Sequence, residues 1–171
     1  GERKRADYIL FYKPNIPIAI IEAKDNKHSI GSGLQQGIEY GEILDIPFVF
    51  SSNGDGFILH DRTGQLEEIE KELPIDGFPS PIELWNTYKR WKGINKNEEE
   101  IITQEYHLEE KGKVPRYYQQ VAINKAVEAV VKGQDRILLV MATGTGKTFV
   151  ASQIIYKLWK SKAKKRILFL A

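Results

Sequence analysis

Apolar positions along the chain fall into short strand-like runs first and longer helical patterns later. "DYILFYK" and "IPIAIIEAK", within residues 7–24, are rich in β-branched and aromatic residues and flank Lys13-Pro14-Asn15, which predicts a hairpin. "SIGSGLQQGIEYGEILDI" places Leu34, Ile38 and Ile43-Leu44 at helical spacing after a capping serine, Ser29 or Ser32. It predicts a helix over about 30–44, with Gly33, Gly37 and Gly41 weakening it but allowing close approach along one face. "PFVFSSN" predicts a strand, Asn53-Gly54 through Gly56 a turn, and "FILHD" the partner strand, followed by the charged stretch "EEIEKEL". In "SPIELWNTYKRW", Ser80, Pro81 and Glu83 form the signature of a capped helix start.

Beyond Lys92 the composition turns polar, so 93–113 reads as a linker or peripheral segment between a domain over 1–92 and another over 114–171. The second region reads helix, strand, glycine-rich loop, helix, strand. Its pieces are "PRYYQQVAINKAVEAVVKG", "RILLVMA", "TGTGKT", "FVASQIIYKLWKS" and "RILFLA", the last as the next parallel strand. The chain enters and leaves in strand-like runs, which reads as a fragment.

Composition narrows this only a little. The 171 residues are 42% hydrophobic and 28% charged with net charge +2, as expected for one or two soluble domains. That balance neither demands nor excludes a nucleic-acid partner. Absence of cysteine rules out disulfides and thiolate metal sites. No apolar run approaches the roughly 20 residues of a membrane span, and no signal peptide is visible.

The strongest chemical motif is "MATGTGKT". A strand, a loop and a helix surround Thr143-Gly144-Thr145-Gly146-Lys147-Thr148. Glycines let successive backbone N–H groups point into one hollow, and the helix N-terminus adds positive potential, so phosphates settle there. Lys147 is placed to reach the β- and γ-phosphates of a nucleotide, and the Thr148 hydroxyl to ligate Mg²⁺. The generic pattern begins with glycine where this chain has Met141. The bland alternative is an ordinary strand–helix turn. Upstream, the Gln119 amide suits the N6 and N7 edge of adenine, and Tyr117 or Tyr118 a stacking role. With Arg116, "PRYYQQ" ahead of this loop resembles the adenine-reading motif of superfamily-2 helicases and translocases. That resemblance covers about 114–171 and implies ATP binding by the start of a RecA-like domain that moves along duplex DNA.

A second motif explains why the apolar strand Ile18-Ala19-Ile20-Ile21 runs into Glu22 and Lys24. Residues two apart on a strand share a face, so these two charges point together, and the hairpin puts Asp7 roughly opposite Glu22. Two adjacent carboxylates repel, and one protonates unless a cation lies between them. Hard oxygen donors select Mg²⁺, which lowers the pKa of a bound water, while Lys24 orients that water or stabilises charge on a phosphate. A plain cross-strand salt bridge is the structural alternative. Gln36 and Tyr40, four apart, lie on one helix face beside the glycines. Asp7, Glu22-x-Lys24 and Gln36-x-x-x-Tyr40 together resemble the PD-(D/E)xK nucleases of the RecB-like branch. That likeness implies catalysis by Asp7, Glu22 and Lys24, with Gln36 and Tyr40 supporting, in a mixed α/β sheet flanked by helices. Ala6 stands where the family name has proline.

In this order the two motifs resemble the R (restriction and translocation) subunit of type I restriction endonucleases; type III subunits place the nuclease after the motor. The resemblance implies an ATP-dependent, Mg²⁺-requiring restriction endonuclease and DNA translocase. It also implies a cytoplasmic complex on double-stranded DNA with modification (methyltransferase) and specificity subunits. Two other readings stay open: a stand-alone repair or phage-defence nuclease–helicase, and a degenerate nuclease fold that only docks DNA or partners. His28, His60 and His107 lack metal-ligand spacing and read as surface or structural. Trp85, Tyr88 and Trp91 read as a packing stripe rather than a base-stacking platform, and "KSKAKKR" as a solvated helix end rather than a phosphate-contacting patch.

Overall fold

The computed structural model describes residues 5–108, 112 and 114–170, so the chain's first four residues and parts of the 93–113 segment lie outside it. The chain divides into two compact units, Gly1–Ile94 and Asn95–Ala171.

The first unit is built on a five-stranded sheet in sequence order: β1 Tyr8–Lys13, β2 Ile16–Ala23, β3 Phe48–Ser52, β4 Gly56–Asp61 and β5 Glu70–Pro74. β2 and β3 run parallel, joined by a 3₁₀ turn Ile30–Gly33 and helix α1 Leu34–Leu44; every other neighbour pair is antiparallel. Ile18, Ile20, Phe48, Val49 and Phe50 are fully buried, which is why the two central strands read as continuous apolar runs rather than alternating ones. α1 lies close on them because its glycines face the sheet. A Cβ on Gly33 would stand 2.8 Å from Glu22 Cβ, and one on Gly37 2.6 Å from Val49 Cγ1.

Helix α2, Pro81–Lys92, begins as the sequence suggested. Glu83 N–H donates to Ser80 Oγ at 3.3 Å, and Ser80 N–H donates to the Glu83 carboxylate at 2.7 Å. Trp85 is buried between Tyr12 and Tyr88, with ring centroids at 4.6 and 5.3 Å, so it packs as the stripe reading expected, while Trp91 at the far end is exposed. β5 escaped the sequence reading, which saw only a charged stretch. It is an edge strand whose exposed Glu70, Lys71 and Glu72 carry no apolar alternation, while its backbone pairs with β4.

The second unit holds α3 Lys96–Ile102, α4 Tyr117–Val131 and α5 Lys147–Lys160. Part of the segment read as a linker is therefore structured: Asn95 caps α3, and Tyr106 packs with Ile123, Val127, Val150 and Leu158. Gln153 of α5 grips the backbone of His107 twice, accepting its N–H at 2.8 Å and donating to its carbonyl at 2.8 Å. One correction concerns the strands expected at 136–142 and 166–170. No described residue offers either a hydrogen-bonded neighbour, and Leu138 and Val140 are 86% and 88% exposed, so neither run is a strand here. Among the described residues no helix is long and apolar enough to cross a membrane.

Lys157 is fully buried, with its ammonium donating to the Ile102 carbonyl at 3.0 Å and lying 5.1 Å from the Tyr106 ring centre. Burial lowers its pKa from 10.5 to about 7. Between those values the unfolded chain holds a proton that the folded unit has released, so the penalty is full below pH 7 and relieved as pH rises. Above pH 10 Tyr106, whose pKa burial raises, opposes this, because its folded form stays protonated while the unfolded one ionises. Urea unfolding read at α5 amide resonances is expected to show stability rising from pH 7 to 9.5, and Lys157→Met is expected to flatten that rise. An unchanged slope in the variant refutes the assignment.

Candidate functional sites

At the open end of the hairpin, β1 and β2 bring Asp7 beside Glu22. The register pairs Tyr8 with Ile21, so the residues just before and after them meet. Asp7 N–H donates to Glu22 Oε1 at 3.3 Å, and Ala23 N–H donates to Asp7 Oδ2 at 3.0 Å. Asp7 is exposed and Glu22 fully covered, though it lies shallow at the strand end. Burial, and after it the nearby Asp7 charge, pushes the Glu22 carboxyl above its usual range. Glu22 Oε2 has no hydrogen-bond partner. A covered oxygen left unmatched beside a second carboxylate fits a divalent cation, which would satisfy the one and neutralise the other. Among the described residues no three His, Cys, Asp or Glu side chains cluster, so Asp7 and Glu22 would be its only carboxylate ligands there.

Lys24, half-buried, faces the same way as Glu22, since both lie against Gly33, and its ammonium donates to Gln36 Oε1 at 3.4 Å. Gln36 Nε2 donates in turn to Tyr40 Oη at 3.2 Å, and Tyr40 is packed with Ile20 and Ile46. The five residues singled out in the sequence thus form two hydrogen-bonded groups, Asp7–Glu22 and Lys24–Gln36–Tyr40, that adjoin at Gly33; Lys24 hydrogen-bonds to an amide and makes no direct ion pair with Glu22 or Asp7. The glycines set the clearance, because any side chain at Gly33 or Gly37 would press on Glu22.

Ser51 escaped sequence reading. It lies beside Glu22 in the sheet, donates to the Ile30 carbonyl and accepts the Gly33 N–H at 3.1 Å, and so fixes the turn that leads into α1. A serine within an apolar strand gives no local signal of such a role. His28 pairs with Asp25 at 2.7 Å and His60 with Glu70 at 3.0 Å, consistent with structural roles.

In the second unit, Gly144 and Gly146 take left-handed conformations with φ of 79° and 85°, and α5 begins at Lys147. Lys147 and Thr148 are exposed. The Lys147 ammonium folds over the loop, donating to the carbonyls of Met141 at 3.3 Å and Ala142 at 3.2 Å. Thr143 is exposed, and Thr145 Oγ1 donates to the Ala142 carbonyl at 2.6 Å. Gln119 is buried and doubly engaged: its Oε1 accepts the Arg116 N–H at 2.9 Å and its Nε2 donates to the Thr145 carbonyl at 2.8 Å. It ties the start of α4 to the loop, so pairing with adenine requires exchange of the Thr145 bond. Arg116 is exposed at that helix start, and Tyr117 stands 56% exposed against Tyr118.

Comparison with known proteins matches both halves. Residues 1–68 match the family described as the N terminus of the type I restriction enzyme R protein, and 112–171 the family described as the type III restriction enzyme res subunit. The EcoAI endonuclease subunit of a type I restriction enzyme from Escherichia coli is 60% identical over 98% of this chain and 21% of its own length. The EcoKI endonuclease subunit from E. coli strain K12 is 29% identical over 99% of this chain and 18% of its own. The chain therefore spans about a fifth of the length of these curated relatives. A solved fragment of an HsdR subunit of a type I restriction enzyme from Vibrio vulnificus YJ016 superposes with a TM-score of 0.84 at 44% identity, over 95% of this chain and 30% of that one. By sequence and by fold along nearly its whole length, this chain is similar to the endonuclease (R) subunits of type I restriction enzymes.

Proposed function

We propose that the chain belongs to an ATP-dependent, DNA-translocating restriction endonuclease subunit that cuts duplex DNA in the bacterial or archaeal cytoplasm. It would work with methyltransferase and specificity subunits. The observation that carries the cutting role is the covered but unpartnered Glu22 Oε2 beside Asp7 at the end of a buried strand. Asp7 and Glu22 would hold Mg²⁺, which supplies a more acidic bound water and draws charge from a phosphodiester. Lys24 is the group placed to stabilise charge that develops on the scissile phosphate, and Gln36 and Tyr40 position it through the hydrogen-bonded chain described above. In the second unit, Gly144 and Gly146 shape the loop, Thr143 and Thr145 line it, Lys147 supplies the cation for the outer phosphates of ATP, and Thr148 a hydroxyl for the accompanying Mg²⁺. Arg116 and Gln119, at the start of α4, would contact the base.

Titration calorimetry of the full-length subunit with Mn²⁺ tests the metal half, with Lys147→Ala as background so that only one site responds. One site is expected, and Asp7→Ala is expected to weaken it at least tenfold. Equal binding by both proteins excludes the paired carboxylates as ligands and favours a fold that only docks DNA.

A further inference from the structure

From Arg136 onward the chain contains no acidic residue, although it has 23 in all, and five cations crowd into seven positions: Lys160, Lys162, Lys164, Lys165 and Arg166. None of the five is held in an ion pair among the described residues. They sit on a turn with defined geometry. Ser161 Oγ donates to the Lys157 carbonyl at 2.6 Å, Lys162 N–H to Trp159 at 3.0 Å, and Lys164 N–H to Leu158 at 3.1 Å. Lys162 itself adopts φ of 61°, a conformation that glycine takes freely and a lysine does not. A lysine thus stands where backbone preference alone favours glycine. Trp159, 60% exposed, lines one shallow hollow with Lys160, Lys162, Lys164 and Lys165.

We infer that this turn is a contact surface for the phosphodiester backbone of duplex DNA, separate from both sites described above. Concentrated positive charge on a chain of net charge +2 creates a local field that attracts a polyanion. Four of the five cations are lysines. Lysine is depleted at the cores of protein–protein interfaces and serves as a point charge for phosphates, which favours nucleic acid over an acidic protein face. The Trp159 indole N–H adds a donor of the kind that phosphate oxygens accept. The surface is not an extension of the nucleotide loop, because the fourteen residues of α5 separate the two by about 20 Å. Its role is to hold the duplex without reading sequence, as a protein that travels on DNA requires, and in that respect it rests on the proposed function.

The test is fluorescence anisotropy of the full-length subunit on a non-specific duplex at several salt concentrations. The wild type is compared with Lys162→Gln/Lys164→Gln/Lys165→Gln and with the triple arginine replacement. With three phosphate contacts removed, the slope of log affinity against log salt is expected to fall by about 2–3 units in the glutamine variant and to recover with arginine. Affinity for an ATP analogue is expected to stay within twofold. A slope unchanged by the glutamines overturns this surface while leaving the proposed function standing. So does a variant that keeps its DNA slope but no longer assembles with partner subunits. A wild type that binds no duplex at low salt overturns the underlying reading itself.

Discussion

Replacing Lys24 by alanine in the full-length subunit, assembled with its partner subunits, is expected to abolish DNA cutting and to leave ATP hydrolysis intact. The ammonium is half-buried at the end of β2, on the face it shares with the covered Glu22 carboxylate, and is held at 3.4 Å from Gln36 Oε1. A cation pre-positioned where charge develops in a phosphoryl transition state is worth about 10²–10³-fold in rate, so loss on that scale is the expected outcome. Lys24 lies just beyond the last residue of β2 and is not among the buried core residues, so alanine there is expected to leave the fold intact. A nicking assay on plasmid DNA with a parallel ATPase measurement decides the matter. Cutting that persists in the variant at the wild-type rate removes Lys24 from catalysis.

Lys147→Ala is expected to remove ATP turnover and, with it, cleavage that depends on translocation. Its ammonium bridges the carbonyls of Met141 and Ala142 across the loop that Gly144 and Gly146 shape, and the proposed nucleotide site gives it the outer phosphates as partners. Alanine at the first position of α5 suits the helix, so a defect of about 100-fold or more in ATP turnover reports lost phosphate contacts rather than unfolding. Nucleotide binding followed by calorimetry, beside the ATPase assay, separates lost binding from lost turnover. The contrast between the two lysines carries the information: one variant loses a single activity, the other loses both. A Lys147→Ala protein with normal turnover would leave the loop an ordinary strand–helix connection.

Local chemistry made much of this legible from residues alone. Pro14-Asn15 sets the hairpin, Ser80, Pro81 and Glu83 cap α2, and the spacing from Gly144 to Thr148 places a glycine loop at a helix start, because each depends on neighbours a few positions away. Pairing across the hairpin turn also brought Asp7 opposite Glu22, since register follows from where the chain reverses. Three outcomes depended on distant partners. β5 is a strand because β4 offers it an open edge, whatever its charged side chains suggest. The runs at 136–142 and 166–170 are apolar enough to be strands but have no hydrogen-bonded neighbour among the described residues, and a strand is defined by its neighbour. Ser51, Gln153 and Lys157 gained their roles from backbone groups 18 to 55 positions away. Sequence by itself determined which groups this protein has and which sit near one another along the chain. Only the tertiary structure decided that Glu22 would be covered and left with an unmatched oxygen, that Gln119 would clasp the glycine loop, and that a lysine would be buried at the heart of the second unit, because covering a polar group takes elements remote in the chain.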